Sequence, residues 1–288
     1  MVQENLLKEF RESGGRLTVL TGAGISAESG IPTFRGPEGY WTVGSTEYRP
    51  EEMATRAMFE KNPWEVWAWY LYRRTVCRNA GPNDGHKAVV EMESLFNDEF
   101  RLITQNVDGL HLQAGNSNFR TFQIHGNLHF MRCANRCSHD LFPFPAGIGD
   151  KERDQKVSEM EKNLLKCPRC HGLARPHVLW FDEYYDERFF QAQTALKWAG
   201  ATDLLMVVGT AGATNLPMQI GRMVAENPQA ILIDINLQDN PFRALAKNHP
   251  RGIVLDGPGG EHLRNIVSLW RGLARFTTAN GSGNDGCM

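Results

Sequence analysis

Four short stretches of the chain, residues 17–21, 101–104, 204–208 and 230–235, are predominantly apolar and are flanked by Gly, Asn or Asp. Apolar runs of that length suit strands buried on both faces, as in parallel sheets. Between them lie longer amphipathic segments, such as 63–77 and 186–199, that suit helices. The alternation predicts an α/β fold built on a doubly wound parallel sheet.

The pattern breaks in two places. From about 127 to 175 the chain carries two close cysteine pairs joined by a polar, charged link, which reads as a small module inserted in the larger fold. The larger domain is then discontinuous, 1–126 and 176–276. Between 34 and 60, Gly, Pro and aromatic residues predict a loop with short helices over the carboxyl end of the first strand. The tail 277–288, with Gly281, Ser282, Gly283 and Asn284, has the composition of a disordered end.

At 288 residues, with 41% hydrophobic and 22% charged, the composition is that of a globular protein. Lys and Arg number 31 against 33 Asp and Glu, so no general charge draws the chain to nucleic acid or membrane. No apolar run approaches the roughly 20 residues that span a bilayer. Residues 1–10 include Glu4 and Glu9 and look like neither a secretory nor an organellar leader. The default reading is cytoplasmic; a mitochondrial location requires that a leader has already been removed. The oligomeric state is open, and a monomer is compatible with the sequence.

Three constellations carry chemistry. Gly22-Ala23-Gly24-Ile25-Ser26-Ala27 follows the first strand and opens a predicted helix, the setting in which glycines let backbone approach a pyrophosphate. The alternative is a tight strand-to-helix turn, and the acidic ribose ligand expected about 20 residues on is missing. Cys133-x3-Cys137 and Cys167-x2-Cys170 lie 29 residues apart. Four thiolates complete a tetrahedral zinc shell and leave no position for a substrate water, so the site is structural. His139 or His171 could replace one of the thiolates. Gln105, Asn106 and Asp108 follow the second strand, and His125 comes soon after; an amide, a carboxylate and an imidazole there can orient a ribose and move a proton. By spacing alone His125 is more often a hydrogen-bonded structural histidine than a base.

At these residues the chain resembles the sirtuins. The run from Gly22 to Arg35, the Gln105–Asp108 segment, His125-Gly126, the cysteine pairs, Arg175 to Phe181, Val208-Gly209-Thr210 and Ile235-Asn236 occur in the family's order, over about residues 14 to 270. The resemblance implies a large NAD-binding Rossmann-like domain, a small zinc ribbon holding one structural zinc, and an acyl-lysine cleft between them. It also implies that Gly22, Ala23, Gly24, Ala27, Thr33, Phe34, Arg35 and Trp41 line the dinucleotide site. Gln105, Asn106 and Asp108 would hold the nicotinamide ribose and carboxamide, and Gly209, Thr210, Ala211, Asn236 and Gly259 the adenosine half. His125 would be the base, assisted by Asn106 and Asp108, with Val178, Trp180 and Phe181 toward the substrate. NAD would be a consumed cosubstrate, and the partners would be acyl-lysine proteins.

Tyr70 and Arg73 lie three apart on the predicted helix, beside a separate apolar stripe of Trp64, Trp67 and Leu71. They are similar to the Tyr-x-x-Arg of class III sirtuins, which remove succinyl, malonyl and glutaryl groups. Three positions depart from the family pattern: the wider first cysteine pair, Asp182 in place of Gly, and Ala211 in place of Ser. Mono-ADP-ribosyl transfer, NAD hydrolysis and non-enzymatic NAD sensing are the rival readings of the same scaffold.

Overall fold

The computed structural model describes residues 2–32, 41–43 and 46–279. Its strands are β1 (Leu17–Thr21), β2 (Trp41–Val43), β3 (Thr46–Tyr48), β4 (Phe100–Thr104), β5 (Thr121–Gln123), β6 (Gly126–Cys133), β7 (Phe142–Pro143), β8 (Ala174–Val178), β9 (Leu204–Val208), β10 (Ile231–Asn236) and β11 (Gly252–Asp256). Six form one sheet in the order β11-β10-β9-β1-β4-β5, with every pairing parallel. The chain runs outward from β1 through β4 to β5. It then returns to the other side of β1 and continues through β9, β10 and β11. The direction reverses between β1 and β9, and the carboxyl ends of those two strands flank the crevice where such sheets bind ligands.

The apolar runs reflect burial on both sides. Leu17 and Val19 of β1, with Leu204, Met206 and Val208 of β9, face a core built with helices Val2–Ser13, Asp84–Phe96 and Gly259–Ala279. Leu20, Leu205 and Val207 face the opposite core, closed by helices Ala192–Ala199, Asn215–Ala225 and Pro241–Asn248. The predicted strands hold to within a residue at each end. The two edge strands, β5 and β11, were not predicted, because each is short and only partly apolar.

The predicted helix over 186–199 is two helices, Glu187–Phe190 and Ala192–Ala199, broken at Gln191 with φ 51°. Glu187 explains the break: its carboxylate accepts from the Gln193 and Thr194 amides and caps the second helix. At the far end, helix Gly259–Ala279 carries residues 277–279, which the sequence pattern had assigned to a disordered tail. The rest of that tail, and the expectations for Thr33, Phe34, Arg35 and the Trp41 side chain, lie outside the described residues.

A third core belongs to the second module. Here β6 pairs antiparallel with β7 and β8, from Gly126 opposite Val178 to Cys133 opposite Ala174. This core also takes in Met53, Phe59 and residues 66–71 of helix Pro63–Asn79, which the sequence pattern had assigned to the larger domain. That helix is not a simple amphipathic one. Val66, Trp67, Ala68, Trp69, Tyr70 and Leu71 are all buried, so Trp67 and Leu71 of the expected stripe belong to a continuous buried belt, while Trp64 is only partly buried against it. The Trp67 indole donates to the Ala174 carbonyl at 3.0 Å, tying the belt to β8. Among the described residues no helix is long and apolar enough to cross a membrane.

The loops after β1 and β9 cross in close backbone contact. The Gly22 amide donates to Val208 O at 3.0 Å and the Gly24 amide to Gly209 O at 2.8 Å. A Cβ on Gly209 would lie 2.4 Å from Ile25 N, and the residue has φ +63°. Gly209→Ala should therefore destabilise the fold by about 1–3 kcal/mol. Gly149→Ala, at a glycine with nothing within 4 Å, should change little. Denaturant unfolding of both variants checks this, and equal midpoints would contradict it.

Candidate functional site

The glycine motif at the end of β1 opens only a single helical turn, Gly24–Ala27. Its glycines are required by the neighbouring loop: a Cβ on Gly22 would meet Gly209 O and Thr210 Cβ at 2.7 Å, and one on Gly24 would meet Gly209 Cα at 2.6 Å. The motif is thus first a backbone crossing, placed at the crevice where the sheet changes direction.

Ser26, on that turn, joins the polar groups from β4. Its hydroxyl donates to Asp108 Oδ2 at 2.7 Å and accepts from Asn106 Nδ2 at 3.1 Å, while Asn106 Nδ2 also donates to Gly22 O at 3.0 Å. Asp108 accepts a second bond from the Leu110 amide at 2.9 Å. Burial pushes the Asp108 carboxyl up, and the Leu110 amide and Ser26 hydroxyl oppose that shift. Ser26 was not singled out in the sequence, because its partners lie about 80 residues away and only the fold brings them together.

Gln105 holds the other side of the cluster. Its amide donates to Thr210 Oγ1 at 2.8 Å, and its Oε1 accepts from Thr214 at 3.2 Å. The Gln105 carbonyl lies 3.0 Å from His125 Nδ1. A carbonyl only accepts, so Nδ1 carries the proton and Nε2 the lone pair. Burial pushes His125 down to about 4, with the Gln105 carbonyl pulling the other way. The Tyr185 hydroxyl donates to Nε2 at 2.7 Å; neither Tyr185 nor Thr214 was identified from sequence.

His125 sits where the parallel sheet passes into the antiparallel module. Its own carbonyl accepts from the Leu179 amide at 2.9 Å. The next residue, Gly126, has φ +89°, and a Cβ there would lie 2.2 Å from His177 O. Only glycine fits, and β8 is thereby locked beside the imidazole.

The expected substrate residues divide. Val178 and Trp180 are buried, whereas Phe181 is about half exposed at 49%. The Trp180 indole donates to Tyr70 Oη at 3.0 Å. Tyr70 is buried, and burial pushes its hydroxyl up. The Arg73 guanidinium lies 5.3 Å from the centre of the Trp69 ring. Burial pulls Arg73 down, while Cys77, Tyr70, Tyr72 and Asp108 favour its charged form, which places it in the field of the Asp108 cluster. Asp182 secures a helix end. Its carboxylate accepts from the Arg56 and Ala57 amides at 2.7 and 3.1 Å and so caps helix Arg56–Lys61.

On the adenosine side, Thr210 and Asn236 are buried at the ends of β9 and β10, and Ala211 is exposed on the loop beyond. Gly259 packs on Val208, where a Cβ would lie 2.9 Å from Cγ1. The helix it begins is capped by Glu28, whose carboxylate accepts from the Gly260 amide at 3.0 Å.

The four cysteines converge, with all four sulfurs within 4.8 Å of one another. Cys133 and Cys170 are 3.6 Å apart and Cys137 and Cys167 3.5 Å. Zn–S bonds of about 2.3 Å in a tetrahedron set sulfurs about 3.8 Å apart, so the donor set fits zinc and closes its shell. Among the described residues neither His139 nor His171 belongs to the cluster; the His139 ring lies 5.6 Å from that of Phe189, tilted by 31°.

Together, the sheet order, the reversal between β1 and β9 and the polar cluster at their carboxyl ends define an open α/β protein of the dinucleotide-binding class. The Sir2 family model matches residues 22–215, and the chain belongs to that family. An "NAD-dependent protein deacylase" of Leptospira interrogans is 39% identical over 266 residues, 91% of this chain and 97% of its own length. One from Aquifex aeolicus is 37% identical over 233 residues, 81% and 88% of the two chains. A solved Sir2 homolog–NAD complex superposes with a TM-score of 0.72 at 33% identity, covering 94% of each chain. A mutant Sir2 homologue bound to 2′-O-acetyl ADP ribose gives 0.73 at 33% identity, covering 94% of this chain and 97% of that one.

Cys167→Ala should lose the metal and lower the melting temperature together, because the ion bridges segments on either side of a 29-residue link. Elemental analysis should give about one zinc per wild-type chain. A zinc-free preparation with unchanged melting would contradict the structural role.

Proposed function

We propose that the protein is an NAD-dependent protein-lysine deacylase that prefers acyl groups ending in a carboxylate. The observation that carries the first part is His125, whose Nδ1 is fixed by the carbonyl of Gln105, the residue that leads into Asn106 and Asp108, so that Nε2 keeps the acceptor lone pair. The names of the relatives and the ligands of the solved homologues support the same reading.

In this reading NAD is a substrate. The acyl-lysine amide oxygen attacks C1′ of the nicotinamide ribose, and the C1′–nicotinamide bond breaks with its electron pair leaving on nicotinamide. Asn106 and Asp108, fixed through Ser26, orient the ribose and carboxamide. His125 Nε2 accepts a ribose hydroxyl proton, which frees that oxygen to attack the imidate carbon. Water then completes release of lysine, and the acyl group leaves on ADP-ribose.

Arg73 supports the acyl preference. It follows Tyr70 by three residues on helix Pro63–Asn79, partly buried just past the belt of residues 66–71 and within the field of Asp108. A carboxylate drawn from water into such a belt needs a fixed cation and a donor to meet it. Arg73 supplies the charge and Tyr70 a hydroxyl.

His125→Ala should lower deacylation by about 10²- to 10⁴-fold while NAD still raises the melting temperature. The base works unprotonated, and burial lowers its pKa to about 4, so wild-type kcat/KM should hold as pH falls from 8 toward 5. An unperturbed histidine would lose half its activity near about 6.5. Near-wild-type turnover by the variant would remove His125 from the base role.

Arg73→Met should lower desuccinylation by about 10- to 150-fold, the equivalent of a charged hydrogen bond of about 1.5–3 kcal/mol, and should spare deacetylation. The measurement is kcat/KM on succinyl- and acetyl-lysine peptides. Equal losses on both would mean that the helix supports the fold and does not read the acyl chain.

A further inference from the structure

The nitrogen that must accept the substrate proton already has a hydrogen-bond partner. His125 Nδ1 is committed to the Gln105 carbonyl, which leaves Nε2 as the only free acceptor on the ring, and the Tyr185 hydroxyl donates to it at 2.7 Å. The two rings stand 5.8 Å apart between centres, tilted by 31°. Tyr185 is also within hydrogen-bonding reach of Thr214, whose hydroxyl donates to Gln105 Oε1 at 3.2 Å, so the segment after β8, the loop after β9 and the loop after β4 meet on one imidazole.

The backbone on both sides of Tyr185 is anchored. Glu183 is gripped by Arg175 through two guanidinium nitrogens at 2.5 and 2.8 Å. Asp186 caps helix Glu187–Phe190 through the Phe189 amide at 2.7 Å. The neighbouring Tyr184 is 91% exposed, so of two adjacent tyrosines on a pinned segment one faces solvent and the other the base.

We propose that Tyr185 is a positioning residue for the base, its hydroxyl holding His125 Nε2 in the free enzyme at the place that the substrate ribose hydroxyl later takes. This rests on His125 being the base of the proposed deacylation. A ring nitrogen has one lone pair, so the tyrosine and the ribose hydroxyl cannot both donate to it in line. The contact keeps the imidazole in its working tautomer and orientation, and it must break when the ribose arrives. Tyr185 does not relay the proton, because burial pushes its hydroxyl up to about 12 and the phenol keeps its own proton.

Tyr185→Phe retains the ring and removes only the donor. Two measurements on the full chain test the proposal. In the ¹⁵N spectrum of the free enzyme at neutral pH, the His125 Nε2 resonance, assigned by its loss in His125→Gln, should move toward the position of an unbonded imidazole nitrogen. In deacylation, KM for NAD should fall by about 2- to 10-fold, because a hydrogen bond of ordinary strength no longer competes with the ribose. The rate at saturation should not rise with it, as the imidazole is held less firmly. An Nε2 resonance that stays in place overturns the proposal, as does a KM for NAD that stays or rises. If the unsubstituted enzyme shows no deacylation, the functional reading fails, and the resonance, which is read without turnover, still decides whether Tyr185 holds the base.

Discussion

Where the loops after β1 and β9 cross, there is no room for a side chain. Gly22 and Gly24 on one loop and Gly209 on the other pass within distances at which any Cβ would strike backbone. The amides of Gly22 and Gly24 use that closeness to bond to Val208 O and Gly209 O. Because this crossing lies at the reversal of the sheet, it sets how far apart the two halves of the crevice stand. Ser26 follows two residues later and fixes Asn106 and Asp108; Thr210 follows Gly209 and fixes Gln105. A backbone constraint is thereby passed on to side-chain chemistry within a few residues.

The second joint, His125-Gly126, does the same between the modules. Gly126 lets β6 lie against β8, and the Leu179 amide closes on the His125 carbonyl. The imidazole is held from the β4 side through Nδ1 and from the β8 side through Nε2. Its tautomer is therefore set by the relative position of the sheet and the antiparallel module. The third core takes residues 66–71 of helix Pro63–Asn79 into that module, and Arg73 on the same helix lies in the field of Asp108.

Much of this was legible in the sequence, and the reasons are physical. Strands buried on both faces appear as uninterrupted apolar runs, so β1, β4, β9 and β10 could be read, whereas the edge strands β5 and β11 lack that signature. Four cysteines in two tight turns announce a metal site by donor type and count, and their sulfurs do converge. Long-range partners cannot be read that way. Ser26, Thr214 and Tyr185 are ordinary polar residues until the fold sets them against groups 60 to 109 positions away. Asp182 is similar: a departure from the family pattern by sequence, it proves to cap helix Arg56–Lys61 through amides 125 and 126 positions earlier. The helix around Tyr70 misled in the opposite direction, since periodicity suggested one buried stripe and the packing encloses every residue from Val66 to Leu71.

The central claim is that this crevice transfers an acyl group from lysine to ADP-ribose at the expense of NAD. Mass spectrometry of the products from NAD and a succinyl-lysine peptide, run in ¹⁸O-labelled water, tests it most directly. The account predicts free lysine peptide, nicotinamide and O-succinyl-ADP-ribose in equal amounts, with one labelled oxygen in the acylated nucleotide. ADP-ribose attached to the peptide, or free ADP-ribose and nicotinamide with the succinyl-lysine intact, would contradict it.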